Sequence, residues 1–266
     1  MAICTLRHPP LQDTAMRLAR LPASTALATV LMQPAWAQVT AEDVWALSSD
    51  FYAATGLTVS AEQTRAGNTL TLSNITLSVD LPEGLGQIAV IGGSVDLVDQ
   101  GDGTVAIQYP AQTEVRIAGV VGPAGETVSF EAVLQGTQAA TIVVSGTPAD
   151  FTVTAESGPA SVSLTDLTLS GFPEAEAITT DTIGLSYDVE SSQSVTRYTR
   201  EGGLLTMESQ SAVGLATYQV SFNFAGDFAM RSDTTGATAA SQSLFTLSLP
   251  EGGVDYMNLG ASLPRR

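Results

Sequence analysis

The stretch Asn68–Glu83, NTLTLSNITLSVDLPE, decides the fold. Leu70 and Leu72 alternate with polar residues, and Ile75, Leu77, Val79 and Leu81 then do so with the opposite parity, the switch falling at Ser73-Asn74. Successive side chains of a strand point to opposite faces, so a parity switch marks a β-bulge or short break that re-aims one face. The device returns at Ser161–Glu174, SVSLTDLTLSGFPE, where Val162 and Leu164 give way to Leu167 and Leu169 across Thr165-Asp166. A clipped version stands at Ser243–Glu251, SLFTLSLPE. Three units ending in Pro-Glu predict a mainly β chain: an extended antiparallel meander or curved sheet of repeated bulged strands. Ser161 follows Thr69 by 92 residues (161 − 69), an interval that suits either a repeated β module or a chance match of short Thr/Ser/Leu strands.

Upstream of this stretch the pattern is helical. In Thr40–Thr55, TAEDVWALSSDFYAAT, Thr40 is a good N-cap, Glu42 and Asp43 place negative charge at the positive end of the helix dipole, and Gly56 suits the stop. Val44, Leu47 and Phe51 share one face, with Trp45 and Tyr52 beside them, as expected of a single N-terminal helix packed on the sheet. A membrane-surface helix would want basic residues on its polar face, which this one lacks.

Residues 1–37 read as a secretory leader: Arg17 and Arg20 precede the apolar run Leu21–Met32, and Ala35-Trp36-Ala37 supplies a cleavage pattern. The expected location is the periplasm, with cleavage after Ala37 and a true start at Met16. Pro22 and Pro34 bracket too short a run to span a bilayer, and no later stretch is longer, so no transmembrane segment is expected in the mature chain. The remainder divides into Gln38–Ala66, the helix and first strand, and Gly67–Arg266, a β-rich repeat domain that opens a third unit and then stops, as a truncated chain or an edge strand left for pairing would.

Composition excludes several chemistries. Cys4 and His8 lie in the leader, so residues 38–266 have no cysteine or histidine, and the whole sequence has no lysine. Seven arginines face 26 acids in that part, a net charge of 7 − 26 = −19, which opposes nucleic-acid binding. Imidazole-based triads, lysine-dependent sites and typical zinc sites have no residues to use, disulfides cannot form, and no cofactor is expected. The chain must rely on a hydrophobic core, for which its length suffices.

Downstream, turn signals fall about every dozen residues, as in a simple meander. Leu57–Arg65 and Gln87–Val98 read as strands, the second bending at Gly92-Gly93. Asp102-Gly103 reads as a tight turn with positive φ at both residues, returning the chain through Thr104–Ile117. Strands follow near Glu126–Gln135, Ala139–Gly146 and Phe151–Glu156, with turns at Gly136-Thr137, Thr147-Pro148 and Ser157-Gly158-Pro159. Ile178–Glu190 and Gln193–Arg200 read as a hairpin around Ser191-Ser192, with Gly203–Ala212 and Gly214–Gly226 after it. Two sets of residues stand out for function. Asp96, Asp99 and Asp102 gather three carboxylates in one hairpin and form a candidate calcium-type site, although the spacing matches neither an EF-hand loop nor the glycine-rich calcium repeat of parallel β-helices, and solvated turn residues explain them as well. Tyr218, Val220, Phe222 and Phe224 alternate with polar residues, giving a dry aromatic strand face that is either sheet core or the lining of a ligand groove. Asn74-Ile75-Thr76 matches a glycosylation acceptor and is read as a chance match.

The segments VTAEDVWALSSDFYAATGLTVSAE, GNTLTLSNITLSVDLPE and VDLVDQGDGTVAIQYP together resemble an uncharacterised Gram-negative envelope family, a domain of unknown function of the DUF2125 type, over Val39–Tyr109. That family's members tend to be longer, and it has no established activity to carry over. The expected function is that of a non-enzymatic envelope protein, a scaffold or binding surface with an envelope protein or lipid as partner. One alternative is a sheet groove holding an acyl chain or other apolar ligand. The rival is a carboxylate-only enzyme such as a glycoside hydrolase, for which Glu114, Glu126, Glu131 and Glu156 are available.

Overall fold

The computed structural model describes residues 38–122, 128–137, 140–171, 179–224 and 230–253. The leader, Glu126 and the chain beyond Gly253 lie outside the described residues.

Helix α1 (Ala41–Ala54) is the one α-helix among them. Thr40 caps it in a capping box, accepting from the Asp43 amide while the Asp43 carboxylate accepts from the Thr40 amide at 3.0 Å. Val39 and Val44 flank the cap and are buried in one cluster, so the chain enters the helix at a fixed angle. Gly56, at φ 77°, ends it.

The strands are β1 (Thr58–Ala66), β2 (Thr69–Asp80), β3 (Gly86–Ile91), β4 (Val95–Asp99), β5 (Val105–Gln108), β6 (Gln112–Val121), β7 (Val128–Thr137), β8 (Ala140–Thr147), β9 (Asp150–Ser157), β10 (Ala160–Ser170), β11 (Ile183–Val189), β12 (Ser192–Glu201), β13 (Leu204–Val213), β14 (Ala216–Phe224), β15 (Met230–Thr238) and β16 (Ser241–Pro250). All pair antiparallel in one 16-stranded sheet of order β15-β14-β11-β10-β7-β6-β3-β2-β4-β5-β8-β9-β12-β13-β16, with β1 on the other edge of β2.

That order conceals a simpler plan. β3 and β4 lie along the same edge of β2, and the same relation repeats outward: β6 pairs β3 while β5 pairs β4, β7 pairs β6 while β8 pairs β5, and so on to β15 and β16. Each successive couple is therefore one long strand broken near its middle, and the breaks align into a crease across the sheet. The ladder continues through the crease: Gly92 donates to the Ile75 carbonyl, Glu190 to that of Leu215 and Gly214 to that of Ser191. The turns expected at Gly136-Thr137, at Ser157-Gly158-Pro159 and around Ser191-Ser192 are not reversals. β7 does not pair with β8, β9 does not pair with β10, and β11 does not pair with β12. Glycine, serine and proline punctuate a kink and a hairpin alike, and only pairing distinguishes them.

Both large bulges are present. The β1–β2 register shifts opposite Asn74, a non-glycine residue at φ 51°, and the β7–β10 register shifts at Thr165, whose hydroxyl donates to the Val133 carbonyl. Each absorbs one residue, so Leu72 and Leu77, like Leu164 and Leu167, stay on one face despite the parity switch. The third unit differs: β16 pairs β13 in unbroken register from Leu204↔Pro250 to Val213↔Ser241. The Asp102-Gly103 turn differs as well. Positive φ falls on Gly101 and Gly103, and Asp102 instead accepts from the Thr104 amide and hydroxyl.

The crease divides the sheet into a helix half, from β4 and β5 to β13 and β16, and a far half, from β3 and β6 to β14 and β15. Helix α1 lies on the inner face of the helix half, where Val44 and Leu47 pack with Leu70, Leu97, Val105, Phe151 and Leu205 in the main core. Burying each such side chain contributes about 1.5–3 kcal/mol. Glu42 pairs with Arg65 on β1, and Asp50 pairs with Arg200 on β12. These acids are about 12 Å apart along the helix axis. In a flat sheet β1 and β12 would lie about 29 Å apart, so the sheet curls around the helix at this end. Among the described residues it does not close, because β1 and the β15/β16 strand remain unpaired edges.

Candidate functional site

Directly opposed residues of antiparallel strands share a face, so the registers assign every side chain of the far half. The inner face carries the row Leu77, Val90, Ile117, Ala132 and Leu167 and, beside it, Val79, Ile88, Gly119, Phe130 and Leu169. Towards the last strands it continues through Val162, Tyr187 and Tyr218, then Leu185 with Val220, Ile183 with Phe222, and Phe224 with Met230. The opposite face of these strands is mostly Ser, Thr, Gln, Asp and Glu. The helix that covers this inner face in the other half is absent here: Val162, Leu185, Tyr187 and Tyr218 are 37–40% exposed.

Two aromatic rings smooth this surface. Phe130 lies across Gly119, and Tyr218 across Gly236, each so close that a Cβ on the glycine would come within 2.5 Å or 2.3 Å of the ring. An aromatic side chain laid over a cross-strand glycine shields the backbone and extends the apolar surface over two strands. Phe222 and Phe224 stack with centroids 6.4 Å apart and planes 11° from parallel.

The sequence singled out Tyr218, Val220, Phe222 and Phe224, and the structure places all four on this face. It also adds Val162, Ile183, Leu185 and Tyr187 from other strands. Ile183, Leu185 and Tyr187 show the same two-residue period, but nothing in the sequence brings them beside Phe222, Val220 and Tyr218; the β11–β14 register does.

The acidic hairpin is not assembled as a cation site. Asp96 and Asp99 are three residues apart on one strand and so point to opposite faces. Asp96 accepts from the Thr71 hydroxyl at 2.6 Å. Asp99 lies on the helix side, where it accepts from the Ala41 amide at 2.8 Å and from Arg65, and so holds the start of the helix against the sheet. Asp102 sits in the turn, its carboxyl held below its ordinary pKa by the Thr104 hydroxyl and amide. No group of three or more His, Cys, Asp or Glu able to hold a metal occurs among the described residues.

The acids available to a carboxylate enzyme are spread out. Glu114 stands on β6 and Glu156 on β9, in different halves, and Glu131 is paired with Arg116 at 3.4 Å. Depressions on the polar face are open, such as one of about 390 Å³ lined in part by Gln87, Ser129, Glu131 and Thr168.

No family model, no curated protein and no solved structure matches the chain. The apolar inner face of the far half is accordingly weighed on its own geometry. No helix among the described residues is long and apolar enough to cross a membrane.

Proposed function

We propose that this chain is an exported, non-enzymatic envelope protein that binds an acyl chain or other apolar ligand on the open inner face of its far half. One observation carries the proposal: the apolar inner face continues past the crease, while the helix that buries it stops before. An apolar sheet face left exposed to water marks a binding surface. The absence of lysine, histidine and cysteine from residues 38–266 supports a binding role over catalysis. The net charge of −19 in that part opposes docking onto an anionic bilayer, so the ligand must come to the protein. The leader motif carries the periplasmic location, and kinship with the DUF2125-type envelope family rests on the residues of Val39–Tyr109.

Native mass spectrometry with solvent extraction, on protein purified without detergent, tests this reading. A co-purifying lipid of defined mass is expected, and it should be lost in the double variant Tyr187→Ser/Tyr218→Ser, with an unchanged circular dichroism spectrum showing that the sheet is intact. A clean apo mass, together with no uptake of a fluorescent fatty acid, would sink it and favour a scaffold for an envelope protein partner.

A further inference from the structure

Among the described residues the last long strand, β15 and β16, is an edge of the sheet throughout its length, and from Thr234 to Leu249 it has no charged residue and no proline. Exposed edges in natural sheets are guarded by charge, proline, bulges or shortness, because their free N–H and C=O groups template pairing with other strands. The opposite edge follows that rule: β1 is nine residues long and carries Glu62 and Arg65. On β16 the Glu251 amide donates to the Gly203 carbonyl, so in the unbroken β13–β16 register the odd residues turn their backbone groups inward. Gln242, Leu244, Thr246 and Ser248 turn theirs outward. Leu244 is 80% exposed and Phe245 49%.

We propose that this edge pairs antiparallel with the same edge of a second copy, forming a two-fold dimer with one continuous sheet. Charge singles out that partner. Copies of so acidic a chain repel one another over most of their surface, and the 234–249 window is the stretch of edge where two can approach without juxtaposing like charges. The two-fold axis falls near Ser241 and Gln242, at the middle of the window. Such an isologous contact uses up the edge on both copies and closes, whereas pairing this edge with β1 would be heterologous and open to further addition. The axis is normal to the sheet, so the two apolar inner faces lie on the same side.

The mass of the purified protein by light scattering, from about 1 to 100 µM, tests the proposal. A dimer is expected. Thr246→Pro removes an outward N–H without touching the β13–β16 bonds, and Leu244→Lys places like charges near the axis. Each should raise the dimer dissociation constant about tenfold or more with an unchanged circular dichroism spectrum. A monomer at every concentration overturns the proposal. So does a dimer indifferent to both Thr246→Pro and Leu244→Lys, which would place the contact elsewhere. If the full chain is monomeric but a chain ending at Gly253 dimerises, the residues after 253 cover the edge, and the proposal fails for the intact protein. None of these outcomes depends on whether a lipid is bound.

Discussion

At the scale of single residues, Asp99 shows how a carboxylate that reads as a ligand serves as a fastener. It joins the first amide of α1 to the sheet and neutralises Arg65, which also reaches Glu42. Asp99→Ala should therefore cost about 1–3 kcal/mol, the range for losing a charge-assisted hydrogen bond to a partly buried donor, and lower the thermal midpoint by several degrees. Asp96→Asn, which keeps an acceptor for Thr71, should change it little; equal effects in a thermal melt would refute this assignment. Tyr198 makes the complementary case. Its ring meets Phe51 edge-on at 5.7 Å, and burial raises its phenol above the ordinary tyrosine pKa, with the nearby Tyr52 adding to the shift. Because the folded-state value is the higher one, the linked stability is complete below about pH 10, where the unfolded phenol titrates, and is lost as pH rises through the folded value. Tyr198→Phe should flatten the fall in urea-unfolding free energy above pH 10; an unaltered slope would count against burial as the cause. The Arg197–Asp150 pair, by contrast, is about half exposed on both sides and adds little.

At the scale of elements, the helix was legible in the sequence because cap, dipole and apolar face all agree there: Thr40, Glu42, Asp43, Val44, Leu47 and Phe51 each do what its position implied. The first two bulged units were legible for the same kind of reason. A parity switch within an amphipathic strand has few structural solutions, and the bulges at Asn74 and Thr165 are among them. Hairpins were less legible. β8 and β9 do form one, and its geometry depends on Gly146, at φ 115°, where a Cβ would lie 2.2 Å from the Asp150 carbonyl oxygen. Gly146→Ala should cost on the order of 3 kcal/mol or more, since neither the dihedral nor the facing backbone can yield cheaply. Gly93→Ala, in the crease with nothing within 4 Å of the added atom, should be nearly silent. Chemical denaturation of the two variants checks the contrast, and comparable losses would show that the crease is as tightly constrained as the hairpin.

At the scale of the whole molecule, one long sheet receives one short helix, and the two proposals follow from that mismatch. A helix of 14 residues is about 21 Å long, enough to fill the curl at one end of the sheet and no more. The far half is left with an apolar face that calls for a ligand, and the last strand with an uncharged edge that calls for a second copy. By itself the sequence determined that the chain is mainly β, that a capped helix precedes the strands, and that the chemistry of histidine, cysteine and lysine is closed to residues 38–266. Those conclusions depend on local periodicity and on composition, which need no knowledge of what lies across from a residue. The tertiary structure alone decided that the breaks after β7, β9 and β11 are kinks in long strands, that Asp96 and Asp99 part to opposite faces of the sheet, and that Leu185 and Tyr187 join Tyr218 and Val220. Each of these is a matter of which strands are neighbours and in what register, and hydrogen bonds between segments tens of residues apart leave no local mark on either segment.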